Sequence, residues 1–203
     1  MTTIKKLVCA LAAVAAGVSV YAQTAPANPA DQTNSSGLLG HRYAEYSFGF
    51  VDINKTSTDA FAAGLAINLP VAPSFDVTLD YTYAWREGHS NIHSNDLSAT
   101  GIYYFNAGKV KPFGGLSLGY DWNRGDDAAN WGAVAGVEYE LTPQVVLTGS
   151  VGYEDDFRSG DNSTWDGTVR ANYWFTHDVS VYGAFSLIEG GNLGYAVGLT
   201  LKF

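Results

Sequence analysis

Cysteine is almost missing from this chain of 203 residues, and its single thiol, Cys9, sits near the start. Positive charge is scarce as well, with 11 Lys and Arg against 20 Asp and Glu and a net charge of −9. So acidic a balance argues against nucleic acid as a partner. Long apolar runs are confined to 7–20, which falls short of the ~20 residues a membrane-spanning helix needs. Lys5 and Lys6 precede that run, and Val20-Tyr21-Ala22 supplies a small-x-small site before Gln23. Residues 1–22 therefore read as a cleavable secretory signal. Cleavage removes Cys9, so the mature chain would hold no thiol, which excludes disulfides, thiol catalysis and cysteine metal sites. It also removes Lys5 and Lys6, taking the net charge from −9 to about −11. Residues 23–41, rich in Ala, Pro, Asn, Ser and Thr, read as a flexible lead-in.

What is abundant is glycine (23) and tyrosine (13), at a mean hydropathy of −0.04. A membrane protein that crosses with strands has near-zero hydropathy, because each apolar outward residue is averaged with a small or polar inward one. From residue 42 onward the period-2 alternation predicts ten strands, at 43–53, 61–69, 75–85, 97–105, 111–122, 131–141, 145–155, 165–175, 179–187 and 193–203. In 75–85, Phe75, Val77, Leu79, Tyr81, Tyr83 and Trp85 share one face, and Asp76, Thr78, Asp80, Thr82 and Ala84 the other. The last strand sets Leu193, Tyr195, Val197, Leu199, Leu201 and Phe203 against Gly194, Ala196, Gly198, Thr200 and Lys202. The weakest is 97–105, where Ile102 and Tyr104 blur the pattern.

Charge tests the register. Glu45, Asp76, Asp80, Asp121, Glu138, Glu154, Arg170 and Lys202 all fall on the small, polar parity. A charge facing lipid at mid-bilayer costs about 2–4 kcal/mol for Arg or Lys, so a transmembrane register requires this segregation. Connections alternate in length. Those at 70–74, 106–110, 142–144 and 176–178 are tight and are assigned to the periplasm. Those at 54–59, 86–96, 123–130 and 156–164 are longer and assigned outside, with 190–192 a short exception. An even strand count leaves both termini in the periplasm. Trp85, Trp122, Trp131, Trp165, Tyr173 and Phe175 lie near strand ends, where interfacial girdles form.

The region from His41 to Phe203 resembles the family of small bacterial outer-membrane β-barrels that includes the OmpA and OmpX type, and is porin-like in pattern. The run from Lys111 to Tyr120 (KPFGGLSLGY) is similar to that family's Lys-Pro-aromatic, glycine-alternating strand, and Ala135-Gly136-Val137-Glu138-Tyr139 adds to the match. The strand ending in the aromatic Phe203 resembles the family's insertion signal, read by the barrel-assembly machinery. The resemblance implies an all-β, transmembrane, antiparallel up-and-down barrel over 42–203, in the bacterial outer membrane among lipopolysaccharide and other lipids. Ten strands are expected, with eight as the alternative.

Chemistry is sparse. His89-Ser90-Asn91 and His93-Ser94-Asn95 lie in what reads as the longest external loop. An outer-membrane lipid A deacylase uses a His-x-Ser pair on one strand face. Here each Ser follows its His directly, and on a strand the two would face opposite ways. Asp126, Asp127, Asp155, Asp156, Asp161 and Asp166 form an acidic external rim that reads as a solvated surface, with divalent-cation bridging to lipid phosphates as the sharper alternative. Inside, the expected charge network comprises Glu45, Asp76, Asp80, Glu138, Glu154, Arg170 and Lys202. Arg170 is expected to meet Glu154 or Asp166, and Lys202 to meet Glu45 across the closing seam. Tyr43, Tyr104, Phe113, Trp174 and Tyr182 are expected to fill part of the lumen. No cofactor or catalytic residue is expected. The role implied is structural or surface-related. A narrow cation-preferring channel is the alternative and a lipid-modifying enzyme the third reading, with oligomeric state left open.

Overall fold

The computed structural model describes residues 36–54, 59–123, 127–158 and 163–203, with the backbone alone at 89–92. The secretory signal and most of the lead-in fall outside these residues, as do Asp126 and Asp161 of the acidic rim.

Ten antiparallel strands form one closed sheet: β1 (Tyr43–Asp52), β2 (Ala60–Ala72), β3 (Phe75–Arg86), β4 (His89–Tyr104), β5 (Val110–Asn123), β6 (Ala128–Glu140), β7 (Val145–Asp156), β8 (Thr164–Trp174), β9 (Val179–Ile188) and β10 (Asn192–Lys202). Each strand pairs with its sequence neighbours, and β10 returns to β1 from Tyr43↔Lys202 to Asp52↔Leu193. Closure satisfies every strand's backbone inside the sheet, the condition for placing β structure in hydrocarbon. Eight strands are excluded.

The faces follow the alternation. Tyr43, Glu45, Ser47 and Val51 of β1 are buried, while Tyr46 and Phe48 are exposed. Outward Leu116 and Leu118 are 69% and 63% exposed, and Val169 and Val197 are 62% and 61%. A soluble protein does not leave a continuous apolar band of this kind bare. Ring clusters lie toward the two ends of the band. Phe61, Tyr83 and Trp85, and Trp131, Tyr153 and Trp165, lie toward one end; Tyr103 with Phe105 and Tyr173 with Phe175 lie toward the other. Below, the end carrying Tyr43 and Lys202 is the near end, and the opposite one is the far end.

One connection differs from expectation. The stretch 86–96 is no loop: β3 runs to Arg86, Glu87-Gly88 makes the turn, and β4 resumes at His89 for 16 residues. Gly88 has φ 68°, the left-handed conformation such tight hairpin turns favour in glycine. A bulge between Trp85 and Arg86 absorbs the extra residues of β4. In a soluble sheet the polar run His-Ser-Asn-Ile-His-Ser-Asn-Asp signals a loop. In a barrel the inward face is itself polar, so Ser94 and Asp96 sit comfortably within a strand. Ile102 and Tyr104, which blur the alternation of β4, point inward and are fully buried or nearly so. They belong to an apolar cluster at the near end with Tyr43, Phe113, Val146 and Trp174.

Candidate functional site: the barrel interior

The near mouth is filled by the chain itself. Ser36–His41 precede β1 and turn back through a bond from the His41 N–H to the Leu38 carbonyl, with Gly40 at φ 107°. Leu38 and Leu39 pack into the near-end cluster at 0% and 3% exposure. Glu138 on β6, itself 0% exposed, accepts their two backbone N–H groups through Oε2 at 2.9 and 3.4 Å. Lys202 Nζ on β10 donates to the Gly37 carbonyl at 2.8 Å and lies 4.1 Å from the centre of the Trp174 ring. Lys111 Nζ bridges Glu138 at 3.6 Å and Glu140 at 2.9 Å on the same side. Burying two leucines gains about 3–6 kcal/mol. Ordering six residues costs about 6–12 kcal/mol. The charge-assisted bonds from Glu138 and Lys202 therefore decide whether the segment stays.

Above this plug a polar layer crosses the lumen. Arg170 on β8 makes a two-pronged pair with Glu45 on β1, Nη1 to Oε1 at 3.1 Å and Nη2 to Oε2 at 2.6 Å. Its Nε donates to Asn172 Oδ1 at 2.7 Å, and its guanidinium lies 3.5 Å above the Tyr182 ring. Thr200 Oγ1 donates to Glu45 at 3.1 Å, closing the group against β10. Both ions of the pair are buried, Arg170 at 0% and Glu45 at 4%. Next to it, Asn68 donates to Asp76 at 3.1 Å and accepts from Thr78 at 2.9 Å, tying β2 to β3.

Two expected pairings are corrected here. Arg170 meets Glu45 rather than Glu154 or Asp166. Its cross-strand partner on β7 is Thr148, and Glu154 lies six residues further along, about 20 Å away at the rise of a strand. Asp166 lies four residues further along β8 and accepts from Thr168 at 3.0 Å. Lys202 meets the Gly37 carbonyl rather than Glu45, because Glu45 stands one inward position above the mouth, where Arg170 already occupies both its oxygens.

The far half is divided. On the β1, β2, β3, β9 and β10 side, Val51, Ala60, Ala62, Ala84, Tyr182, Ile188 and Ala196 pack together. On the β4–β8 side the inward residues are small or acidic. Ser98, Ser117, Gly119 and Gly152 are half-buried and Gly132 is buried, and Asp96, Asp121, Glu154, Asp156 and Asp166 surround them. Asp96 and Asp121 stand directly opposite each other in the β4–β5 register. Asn130 on β6 donates to both, at 3.4 Å to Asp96 and 3.0 Å to Asp121.

Of the expected network, then, Glu45 and Arg170 are brought together. Glu138 and Lys202 share the plug, Asp76 and Asp80 line β3, and Glu154 stands apart at the far end. Tyr43, Tyr104, Phe113, Trp174 and Tyr182 are all buried in the lumen as expected. Leu38, Leu39, Lys111 and Asp96 were not anticipated as interior groups. The leucine pair had a signal: it is the one large apolar step in an otherwise small and polar lead-in. Asp155 of the acidic rim lies on the outward parity of β7, where it accepts from Tyr153 Oη at 3.2 Å, whereas Asp156 and Asp166 turn inward. Of the histidine–serine pairs, His93 faces the Tyr83 ring outside at 6.0 Å while Ser94 is buried inside. The side chains of His89 and Ser90 lie outside the described residues.

No family model matches the chain, and no characterised protein matches it by sequence. Solved structures share its path. The NanC porin is 11% identical at a TM-score of 0.49, over 79% of this chain and 100% of its own. The KdgM porin is 12% identical at 0.48, over 79% and 99%. Neisserial surface protein A is 18% identical at 0.43, over 80% and 96%. Likeness at these identities concerns the barrel path and assigns no role to any residue.

Proposed function

We propose that the protein is an integral outer-membrane β-barrel with a structural or surface role and no catalysis. Both ends of its strands would project from the bilayer, the near end into the periplasm. Its apolar band would face lipid, with lipopolysaccharide against the far half, and the β10 strand with Phe203 would serve recognition by the assembly machinery. The observation that carries a non-transport role is the plug. Leu38 and Leu39, seated among Tyr43, Tyr104, Phe113 and Trp174, oppose free passage at the near mouth. The opposite facing of His93 and Ser94 argues against an acyl-transfer pair.

Conductance tests this reading. The refolded protein is expected to give no steady unitary current in planar bilayers. Replacing Glu138 by alanine together with Leu38 and Leu39 by glycine removes the plug's anchor and its apolar grip. That variant is expected to raise open events at least tenfold, with cation preference set by the far-end carboxylates. Steady wild-type channels unchanged by the triple variant would favour the narrow-channel reading instead.

A further inference from the structure

The β1–β10 seam differs from every other joint in the sheet. All other neighbours are strands consecutive in sequence, whereas the seam brings together the two ends of the barrel chain. Closing so long a loop carries the largest chain-entropy cost, so the seam is the joint most prone to open. Inward side chains add little to it over much of its length. Ser47 pairs with Gly198, Gly49 with Ala196 and Val51 with Gly194, so each of these pairs contains a glycine.

The plug segment, residues 36–41, crosses the near mouth and is tied to both strands of the seam. It continues into β1 through Arg42, and its Gly37 carbonyl is held by Lys202, the last residue of β10. Its other anchor is Glu138 on β6, five strands from β1 in either direction round the ring and therefore on the opposite wall. Ser36 Oγ donates to the Thr142 carbonyl in the turn after β6 at 3.4 Å, and the His41 carbonyl accepts from Asn68 Nδ2 on β2 at 3.0 Å. Partners spread over β2, β6 and β10 converge on one short segment only when the sheet is closed. Glycine at 37 is a condition of the fit, because a Cβ there would collide with the Glu138 carboxylate and the Lys111 ammonium. Neither group swings aside freely: Glu138 holds the Leu38 and Leu39 N–H groups, and Lys111 is tied to Glu140 at 2.9 Å. We infer that the plug segment is a clasp for the seam. It seats on the finished barrel, and once seated it ties both terminal strands to the opposite wall and slows their separation. Contacts made only after closure are absent from the transition state, so they retard unfolding without speeding folding.

Urea-jump kinetics of the refolded full chain in detergent micelles test this with Gly37→Val, a substitution that unseats the clasp and alters no strand residue. Its unfolding rate is expected to rise about tenfold, with a folding rate within about twofold of wild type. Lys202→Met, which loses the tie from β10, should act in the same direction. The double variant should add little to the larger single effect, because both substitutions act through one segment. Amide exchange locates the change: β1 and β10 should exchange faster in Gly37→Val, while the β3–β4 pair keeps its wild-type rate. Three results would each overturn the inference: unfolding unchanged in both single variants, a folding rate lowered as far as the unfolding rate is raised, or exchange raised evenly round the sheet. Neither measurement depends on whether the lumen conducts, so this inference and the channel test fail separately.

Discussion

Replacing Arg170 by methionine is expected to lower the stability of the folded barrel by about 3–5 kcal/mol. The cost comes from what is left behind. Glu45 is 4% exposed, and in the variant it keeps Thr200 as a donor while losing both guanidinium bonds. A buried carboxylate stripped of its countercharge is far more costly than a pair that was never there. The double variant Glu45→Gln/Arg170→Met should therefore recover more than half of the loss. Methionine fills much of the volume beneath the Tyr182 ring, and glutamine can still accept from Thr200. Urea unfolding in detergent micelles reads both effects. If the single and double variants are equally unstable, the pair serves packing and not charge compensation.

A second large effect is expected on the outer surface, where depth matters. Leu116 stands at the middle of β5 and is 69% exposed, so Leu116→Arg should cost about 2–4 kcal/mol of stability in lipid vesicles. The same change at Val110, which is outward on the first residue of that strand, should cost about 0–1 kcal/mol. The contrast between two positions on one face of one strand separates a bilayer from a protein partner. A partner surface would penalise both positions or neither according to its own shape, with no dependence on depth. Folding the two variants in vesicles and comparing their urea midpoints measures the difference.

The faces of the sheet were legible in the sequence because hydrocarbon enforces them. Every mid-strand charge read as inward, from Glu45 to Lys202, is inward. Polarity alone could not show where β4 begins, since an inward strand face and a loop share the residues Ser, Asn and Asp. Alternation resolves the two only when the outward positions are clearly apolar, and in 89–96 the outward residues include His93 and Asn95. Pairing inside the lumen was harder still. Sequence neighbours fix which residues share a face but not which meet inside the lumen, so the sequence points Arg170 to the carboxylates of its own hairpin, whereas its partner Glu45 stands on β1. The plug was hidden by composition. Two leucines among small polar residues carry little weight in an average, yet they meet a cluster of aromatic side chains from four different strands.

The claim beneath all of this is that one closed sheet meets lipid with alternate residues. A nitroxide scan along β5 tests it most directly, with single cysteines placed from 115 to 121 on a Cys9→Ser background and the protein refolded in vesicles. Labels at 116, 118 and 120 should be readily reached by oxygen dissolved in the bilayer, and those at 115, 117, 119 and 121 poorly reached, giving a period of two. A flat profile, or one in which 116, 118 and 120 are shielded from oxygen, would contradict it.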